Sequence, residues 1–501
     1  MHDDYMRITR YLVAFGCILG AVRASAAQQP LDSTLARFYL ARWWQPVWIR
    51  AGSLDPQATA LLDVVARADA EGLDAAAYVT PEIDSLLHRD LLPEEAWRLD
   101  TLLTQTFFLY ARDVSLGRVE PSMVDSQWTT AARPQDIVAL LDRALDANRV
   151  GPALEELAPP QPEYRALRAA LQRYRELAQQ GDWPAPLARR LASEGYDTTA
   201  ALAAAIARFQ TLHGLPSDGI VGPETRQQLS ISPAQRAQQI ALNLERWRWL
   251  PRFLGDRYIL VNSAAFSLQL VERNTVTLTM RAIVGRPDWP TPIVSSTATD
   301  FVFRPVWKVP RVIAMQELLP IVRKDPGYLA RAGFRVFSDS LRAGIEVDAS
   351  AVNWAAVTET TFTYQFIQEP GPENPLGGVK LAFWTPFSVF IHDTPARPLF
   401  SERWRTFSHG CVRVEGAAAL AARLLAVWPD DSIRAAMTSG RQRWVRLPEP
   451  IPVHIVYWTA WATDAGLVAF TADPYGWDEE LARALEAREI QRVTMKGESV
   501  P

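Results

Sequence analysis

Thr406-Phe407-Ser408-His409-Gly410-Cys411-Val412-Arg413 holds the only cysteine past the first 26 residues of this 501-residue chain. The other cysteine, Cys17, lies in an N-terminal apolar segment, so removal of that segment leaves no internal disulfide to form. A lone thiol is either a small buried hydrophobe or a nucleophile. The reactive form is the thiolate, and a neutral imidazole within hydrogen-bond reach is the usual means of making one. Of six histidines, His392 and His409 fall within 20 residues of Cys411. His409 is two residues before the thiol, with Gly410 between them to let the backbone turn sharply. His392 ends the run Ser388-Val389-Phe390-Ile391, which reads as a strand that puts Phe390 and His392 on one face. Proximity in sequence favours His409 as the base, yet adjacency says little about ring geometry, so the residues alone leave the choice open. A zinc site would want further Cys, His or carboxylate ligands at short spacing, so neither a metal nor a cofactor is expected.

Working outward, the apolar period around this motif is two. Val276, Leu278, Met280, Ala282 and Val284 alternate with Thr277, Thr279, Arg281 and Ile283, and Glu272-Arg273-Asn274 can turn a hairpin before them. Strands are predicted at 258–261, 266–271, 301–303, 306–309, 379–383 and 387–391, and an alanine-rich helix from about Ala417 to Trp428. Residues 310–366 break the pattern and read as an insertion of helical and irregular chain. Insertions of this length in a compact β fold are often functional lids. A last strand pair, 453–461 and 467–470, and a short polar helix close the chain.

Towards the N-terminus, residues 31–177 read as successive helices, as in the run 56–68 where apolar residues recur at three and four. His88 there sits among polar neighbours and is expected to be solvated. Proline clusters at 159–162 and 184–186 mark connections. Between them and Ser230, a helix-like stretch 200–212 is followed by turns at Asp218-Gly219 and Gly222-Pro223, with Thr225 near the start of another short helix. His213, beside Gly214, reads as a turn residue.

At the N-terminus, Arg7 and Arg10 precede about a dozen apolar residues and then Ala24-Ser25-Ala26, the three parts of a secretory signal. The apolar run falls short of the roughly 20 residues that span a bilayer. Export with cleavage near Ala26 is expected; acylation at Cys17 is the weaker alternative, since Phe15 is bulky where a lipoprotein signal wants a small residue. The net charge of −4 becomes −5 without residues 1–26, which leaves no electrostatic footprint for nucleic acid. The 18 tryptophans are taken mainly as core, with a platform for flat ligands such as sugars as the other use.

The segment 187–230, with Phe209-Gln210, Gly214-Leu215, Asp218-Gly219, Gly222-Pro223 and Thr225, resembles the small three-helix peptidoglycan-binding domain of bacterial wall enzymes. A helical hairpin without binding function is the alternative. His392 and, starting 16 positions after it, Ser408-His409-Gly410-Cys411-Val412-Arg413 resemble the signature of the YkuD-type L,D-transpeptidase catalytic domain. Val284-Gly285-Arg286-Pro287, Thr291-Pro292 and Asn374-Pro375-Leu376-Gly377 match turns of that family, and the whole arrangement is similar to its large YcbB-type branch. Asp393 after His392 agrees with that branch, whereas Trp289 stands where a polar residue is usual.

The resemblance implies a multidomain α+β chain: a signal peptide (1–26), a helical scaffold (31–180), the three-helix peptidoglycan-binding domain (185–232), a mainly-β catalytic domain (256–445) with an inserted lid (310–366), and a C-terminal strand pair and helix (446–501). It implies Cys411 as nucleophile, His392 as base, and His409 and Gly410 at the oxyanion site. Arg413, Ser408, Asp393 and Thr394 are implied to hold substrate or loop geometry. The activity implied is formation of 3-3 peptidoglycan crosslinks in the periplasm by cysteine acyl transfer from a tetrapeptide donor to a diaminopimelate amine. Implied partners are stem peptides, peptidoglycan synthases, a D,D-carboxypeptidase that supplies tetrapeptides, and carbapenem inhibitors. Hydrolysis by the same thiol and non-catalytic wall binding are the alternatives.

Overall fold

The computed structural model describes residues 29–50, 53–129, 136–338, 344–463 and 466–497, so the expected leader and Cys17 lie outside the described residues. The chain divides into two compact units. The first runs to Leu116 and resumes over 133–159. It contains helices Gln29–Ala41, Pro56–Ala66, Pro81–Leu87, Pro93–Leu116, Ile137–Asp146 and Val150–Glu155, with a ribbon of β1 (Ile49–Arg50) and β2 (Ser53–Leu54). Asp55 and Thr80 accept backbone N–H bonds at the starts of two helices whose first residue is proline, where the missing N–H costs nothing. Buried Asp100 accepts from the backbone N–H groups of Val47 and Trp48 and from the Tyr39 hydroxyl, pinning the loop to the long helix.

The second unit holds 117–132 and everything from Pro160. Helix Pro162–Gln179, expected at the end of the scaffold, packs here against helix Pro233–Trp247. Helices Leu187–Ser193, Leu202–Leu212 and Pro223–Ser230 form the small three-helix body. At its centre the buried Gln210 amide lies within hydrogen-bond distance of the Asp218 carboxylate, the Ile220 carbonyl and the Thr225 hydroxyl, and its oxygen accepts from Gly219 N–H. One side chain therefore ties the turn to the following helix, which accounts for the residue types at these positions. His213 caps helix Leu202–Leu212 and is buried, its ring stacked 3.7 Å from that of Phe209.

The β region begins with β3 (Arg257–Asn262), β4 (Ser267–Glu272), β5 (Thr275–Gly285) and β6 (Val294–Phe303). An insertion follows, carrying β7 (Trp307–Lys308), β8 (Phe334–Ser338), β9 (Glu346–Val347) and β10 (Tyr364–Gln368). The chain returns through β11 (Val379–Phe383), β12 (Ile391–His392), β13 (Thr406–Ser408), β14 (Val412–Val414) and β15 (Arg443–Val456), then ends with β16 (Ala460–Ala462), β17 (Val468–Phe470) and helix Trp477–Gly497. The main sheet runs β5-β14-β12-β11-β6-β15-β3-β4, and β4 pairs back onto β5, so the ring closes; β13 is appended along β5. Closure removes exposed strand edges. Arg273 and Asn274, both at positive φ, make the two-residue turn between β4 and β5. Inward residues such as Val261, Leu270, Phe301, Ile391 and Val412 pack on Leu420 and Leu424 of helix Ala417–Leu424.

Four expectations change. The insertion is not only helical and irregular: its strands form a sheet ordered β7-β10-β8-β9 around a core of its own, including Val336, Trp354, Phe362 and Phe366. The strand at 306–309 belongs to that sheet and not to the ring. Only Ile391 and His392 pair as a strand, because Pro386 and a turn fastened by Thr385 hold 385–389, with Ser388 at positive φ. Finally, 453–456 is the end of β15, parallel to β3 within the ring, and of the expected last pair only 460–462 pairs with 468–470.

Candidate active site

Register across the ring sets one row of cross-strand partners: Ile283, Arg413, His392, Lys380, Val302 and Trp444. Such partners face the same side of a sheet, and Cys411, two residues before Arg413, shares that side. The thiol, the His392 ring and two cations therefore converge on one surface.

His392 is buried, with Nδ1 2.5 Å from the carbonyl oxygen of Asp393. A carbonyl can only accept, so Nδ1 carries the proton and Nε2 keeps its lone pair. Burial first, and then the positive charge of Arg413, pushes the His392 pKa down to about 3, with Lys380 adding to this against the carbonyls of Asp393 and Leu376. The ring is a neutral base at neutral pH. Burial raises the Cys411 thiol above its ordinary range, opposed by the Phe390 peptide N–H and by the charges of Arg413 and Lys380. Cys411 therefore rests as a thiol, and among the described residues no hydrogen bond joins it to His392. Catalytic hydrogen bonds often tighten only once substrate is bound.

The loop before the thiol is held from three sides. Gly410 has φ +97°, a conformation side chains rarely adopt. Its carbonyl accepts from the buried Thr291 hydroxyl at 2.9 Å, and that hydroxyl oxygen in turn accepts from Gly285 N–H at 2.8 Å. Ser408 is buried and its hydroxyl donates to the Cys411 carbonyl at 2.5 Å, so it shapes the loop from within. His409 sits apart from His392: its Nε2 lies 2.5 Å from Glu317 on the insertion, and its ring meets Trp289 edge-on at 4.8 Å. Trp289 also packs against the core of the insertion, which accounts for an aromatic residue at that position.

Asp393 and Thr394, implied to hold substrate or loop geometry, are engaged in their own loop. The Asp393 carboxylate accepts from Gly378 N–H and pairs with Arg397, while the Thr394 hydroxyl accepts from Ala396 N–H. Both line a cavity of about 450 Å³ with Arg304, Gly377 and Met437. Sequence reading missed Lys380, Glu317 and the role of Thr291. Lys380 is visible only through its register with His392, and Glu317 lies 92 positions from its partner.

Comparison with known families gives three matches: residues 256–444 match the L,D-transpeptidase catalytic domain (YkuD), 33–171 a scaffold domain, and 187–229 the family described as "Putative peptidoglycan binding domain". The chain therefore has a helical N-terminal region, a peptidoglycan-binding domain and a mainly-β L,D-transpeptidase catalytic domain. It is 30% identical over 246 residues, 49% of each chain, to a Haemophilus influenzae protein named "Putative L,D-transpeptidase". The chain thus spans about half the length of the curated relative it matches. Among solved structures, an L,D-transpeptidase from Mycobacterium smegmatis aligns at 15% identity and TM-score 0.19, covering 40% of this chain and 58% of that one. L,D-transpeptidase 3 from Mycobacterium tuberculosis, in complex with a faropenem-derived adduct, aligns at 12% identity and TM-score 0.20, covering 40% and 60%. No described helix is long and apolar enough to cross a membrane.

Proposed function

We propose that this chain, which carries an L,D-transpeptidase catalytic domain, forms 3-3 peptidoglycan crosslinks through a thioester on Cys411. The observation that carries the reading is a buried, neutral His392, with its proton fixed on Nδ1, on the sheet face that bears the single described thiol. His392 Nε2 takes the thiol proton as Sγ attacks the carbonyl between diaminopimelate and the terminal D-Ala of a tetrapeptide stem. The backbone N–H groups of Gly410 and Cys411, with His409 beside them, receive the oxyanion. Collapse breaks the C–N bond, the departing nitrogen takes the proton from His392, and D-Ala leaves. A diaminopimelate amine of a neighbouring stem then attacks the thioester, forming the amide and returning the thiol. The insertion, in contact with the site through Glu317, keeps water from the acyl-enzyme. Carbapenems, which present a strained carbonyl, acylate the same sulfur.

The peptidoglycan-binding domain holds the enzyme to the wall, and the leader exports it to the periplasm, where peptidoglycan synthases and a D,D-carboxypeptidase provide its substrates. Incubation with purified disaccharide tetrapeptide, read by mass spectrometry beside Cys411→Ala, tests the reading. The expected products are crosslinked dimer and free D-Ala, absent in the variant. Tripeptide without dimer makes the chain a hydrolase, and no turnover in either protein leaves wall binding as its role.

A further inference from the structure

His392 has a cation on each side. Its cross-strand partner on β14 is Arg413, and its partner on β11 is Lys380. Neither makes an ion pair among the described residues: Arg413 Nε has no hydrogen-bond partner, and the Lys380 ammonium rests 4.4 Å over the ring of Phe390. Desolvation works against the charge of both. Removing a cation from water costs free energy; the Glu317 carboxylate returns part of it at Arg413 and the Phe390 ring part of it at Lys380, so of the two it is Lys380 that has no protein carboxylate acting on it. The thiol does not supply the missing charge, because Cys411 rests protonated. The missing anion is therefore expected to arrive with the ligand.

The order of strands says which part of the ligand meets which cation. Cys411 leads into β14 beside Arg413, His392 lies on β12, and Lys380 lies one strand further, about 4.8 Å across the sheet. With the acyl carbon at Cys411 and the departing nitrogen at His392, the groups beyond that nitrogen extend towards Lys380. In a donor that loses a single terminal amino acid, the first group beyond the nitrogen and its α-carbon is the free carboxylate.

We propose that Lys380 is a specificity-determining residue that receives the terminal carboxylate of the departing D-amino acid and so selects donors with one residue beyond the scissile bond. This rests on the acyl-transfer reading above. A donor with two residues beyond the bond presents an amide where Lys380 expects an anion, and is disfavoured. The alternative role for Lys380 is electrostatic support of the Cys411 thiolate alone, which would affect all donors equally.

The test compares a disaccharide tetrapeptide ending in D-Ala with the same donor ending in D-alaninamide, on wild type, Lys380→Met and Lys380→Arg. Wild type should prefer the carboxylate in kcat/KM by about tenfold to a hundredfold, the worth of one charge-assisted hydrogen bond. Lys380→Met should bring the preference to near unity by slowing the carboxylate donor, and Lys380→Arg should retain most of it. A preference that survives in Lys380→Met, or no preference in wild type, overturns the proposal. Calorimetric binding of both peptides to Cys411→Ser reads the same ratio without turnover. If wild type turns over neither donor, the acyl-transfer reading fails, while loss of carboxylate preference in Cys411→Ser/Lys380→Met still upholds the subsite and its persistence still overturns it.

Discussion

His409 Nε2 and Glu317 Oε1 lie 2.5 Å apart, a bond that fastens the insertion to the loop carrying Cys411. Glu317 sits in a π-helical turn, Ala314–Leu318, a local widening often found at functional sites. Trp289 adds a second tie, since it meets the His409 ring and packs on the core of the insertion. The two ties couple the placement of the insertion to the orientation of His409.

Glu317→Ala should therefore loosen the insertion. A hydrogen bond to a charged group contributes about 1.5–3 kcal/mol, which limits the shift in docking to about tenfold to a hundredfold. Alkylation of Cys411 by iodoacetamide should speed up within that range, and Glu317→Gln, which keeps an acceptor, should fall between. If the thioester is formed as proposed, the ratio of hydrolysis to transfer should rise in the same order. Equal alkylation rates in all three proteins would show that this bond does not govern access.

The pH dependence separates the two groups of the site. The thiol is raised above its ordinary value by burial, so alkylation of Cys411 should keep rising with pH past 9. His392, held down to about 3, should add no inflection between pH 5 and 8. Stability carries the opposite signature. Between about pH 6.5, where an unfolded histidine gains its proton, and about 3, where the folded one does, the unfolded state binds the extra proton, so stability falls as pH falls. One such group contributes at most about 1.4 kcal/mol per pH unit. Urea unfolding of wild type and His392→Asn between pH 7 and 4 should show a shallower loss in the variant; parallel curves would mean that His392 is protonated in the fold.

What could be read in the sequence was what local pattern encodes. The alternation along β5 and the Arg273-Asn274 turn announce a hairpin without reference to the rest of the chain, and Cys411 with its two histidines announces chemistry by residue type alone. The strands of the insertion are two to five residues long, too short for a period to stand out. In β15, Pro448 and Pro450 interrupt any local strand signal, and the ring accommodates them where its register shifts between Arg446 and Ile451. Lys380 looked like one polar residue alternating in a strand; its place beside His392 exists only once β11 and β12 are paired. The contacts of Asp393 are equally invisible before folding: its carboxylate accepts from Gly378 N–H and pairs with Arg397.

Gly410→Ala should damage rate more than fold. At φ +97° an L residue is strained, and the added methyl would stand 3.4 Å from the Pro290 carbonyl oxygen, so the loop must rotate or shift. Either movement misdirects the N–H groups proposed above to receive the oxyanion, and the loss of one such donor costs about 10²–10³ in rate. The expected result is that loss in acylation by a carbapenem, followed at the protein mass, with a thermal midpoint only slightly lowered. Unchanged acylation would place the oxyanion elsewhere.

Thr291→Val tests whether the same loop is held from behind. The substitution keeps the side chain's shape and removes one oxygen that joins Gly285 N–H to the Gly410 carbonyl. Both backbone groups are then left without this partner in a fully buried place, at about 1–3 kcal/mol for each group left unsatisfied. Part of that cost appears as lower stability; the rest appears as freedom of the Gly410 peptide, whose plane sets the direction of the Cys411 N–H. Acylation should slow by about tenfold or more, as expected when a positioning contact is lost away from the reacting atoms, and Thr291→Ser, which keeps the oxygen, should restore most of the rate. If valine and serine behave alike, the hydroxyl only fills space and the loop is held by Ser408 and the glycine's own geometry.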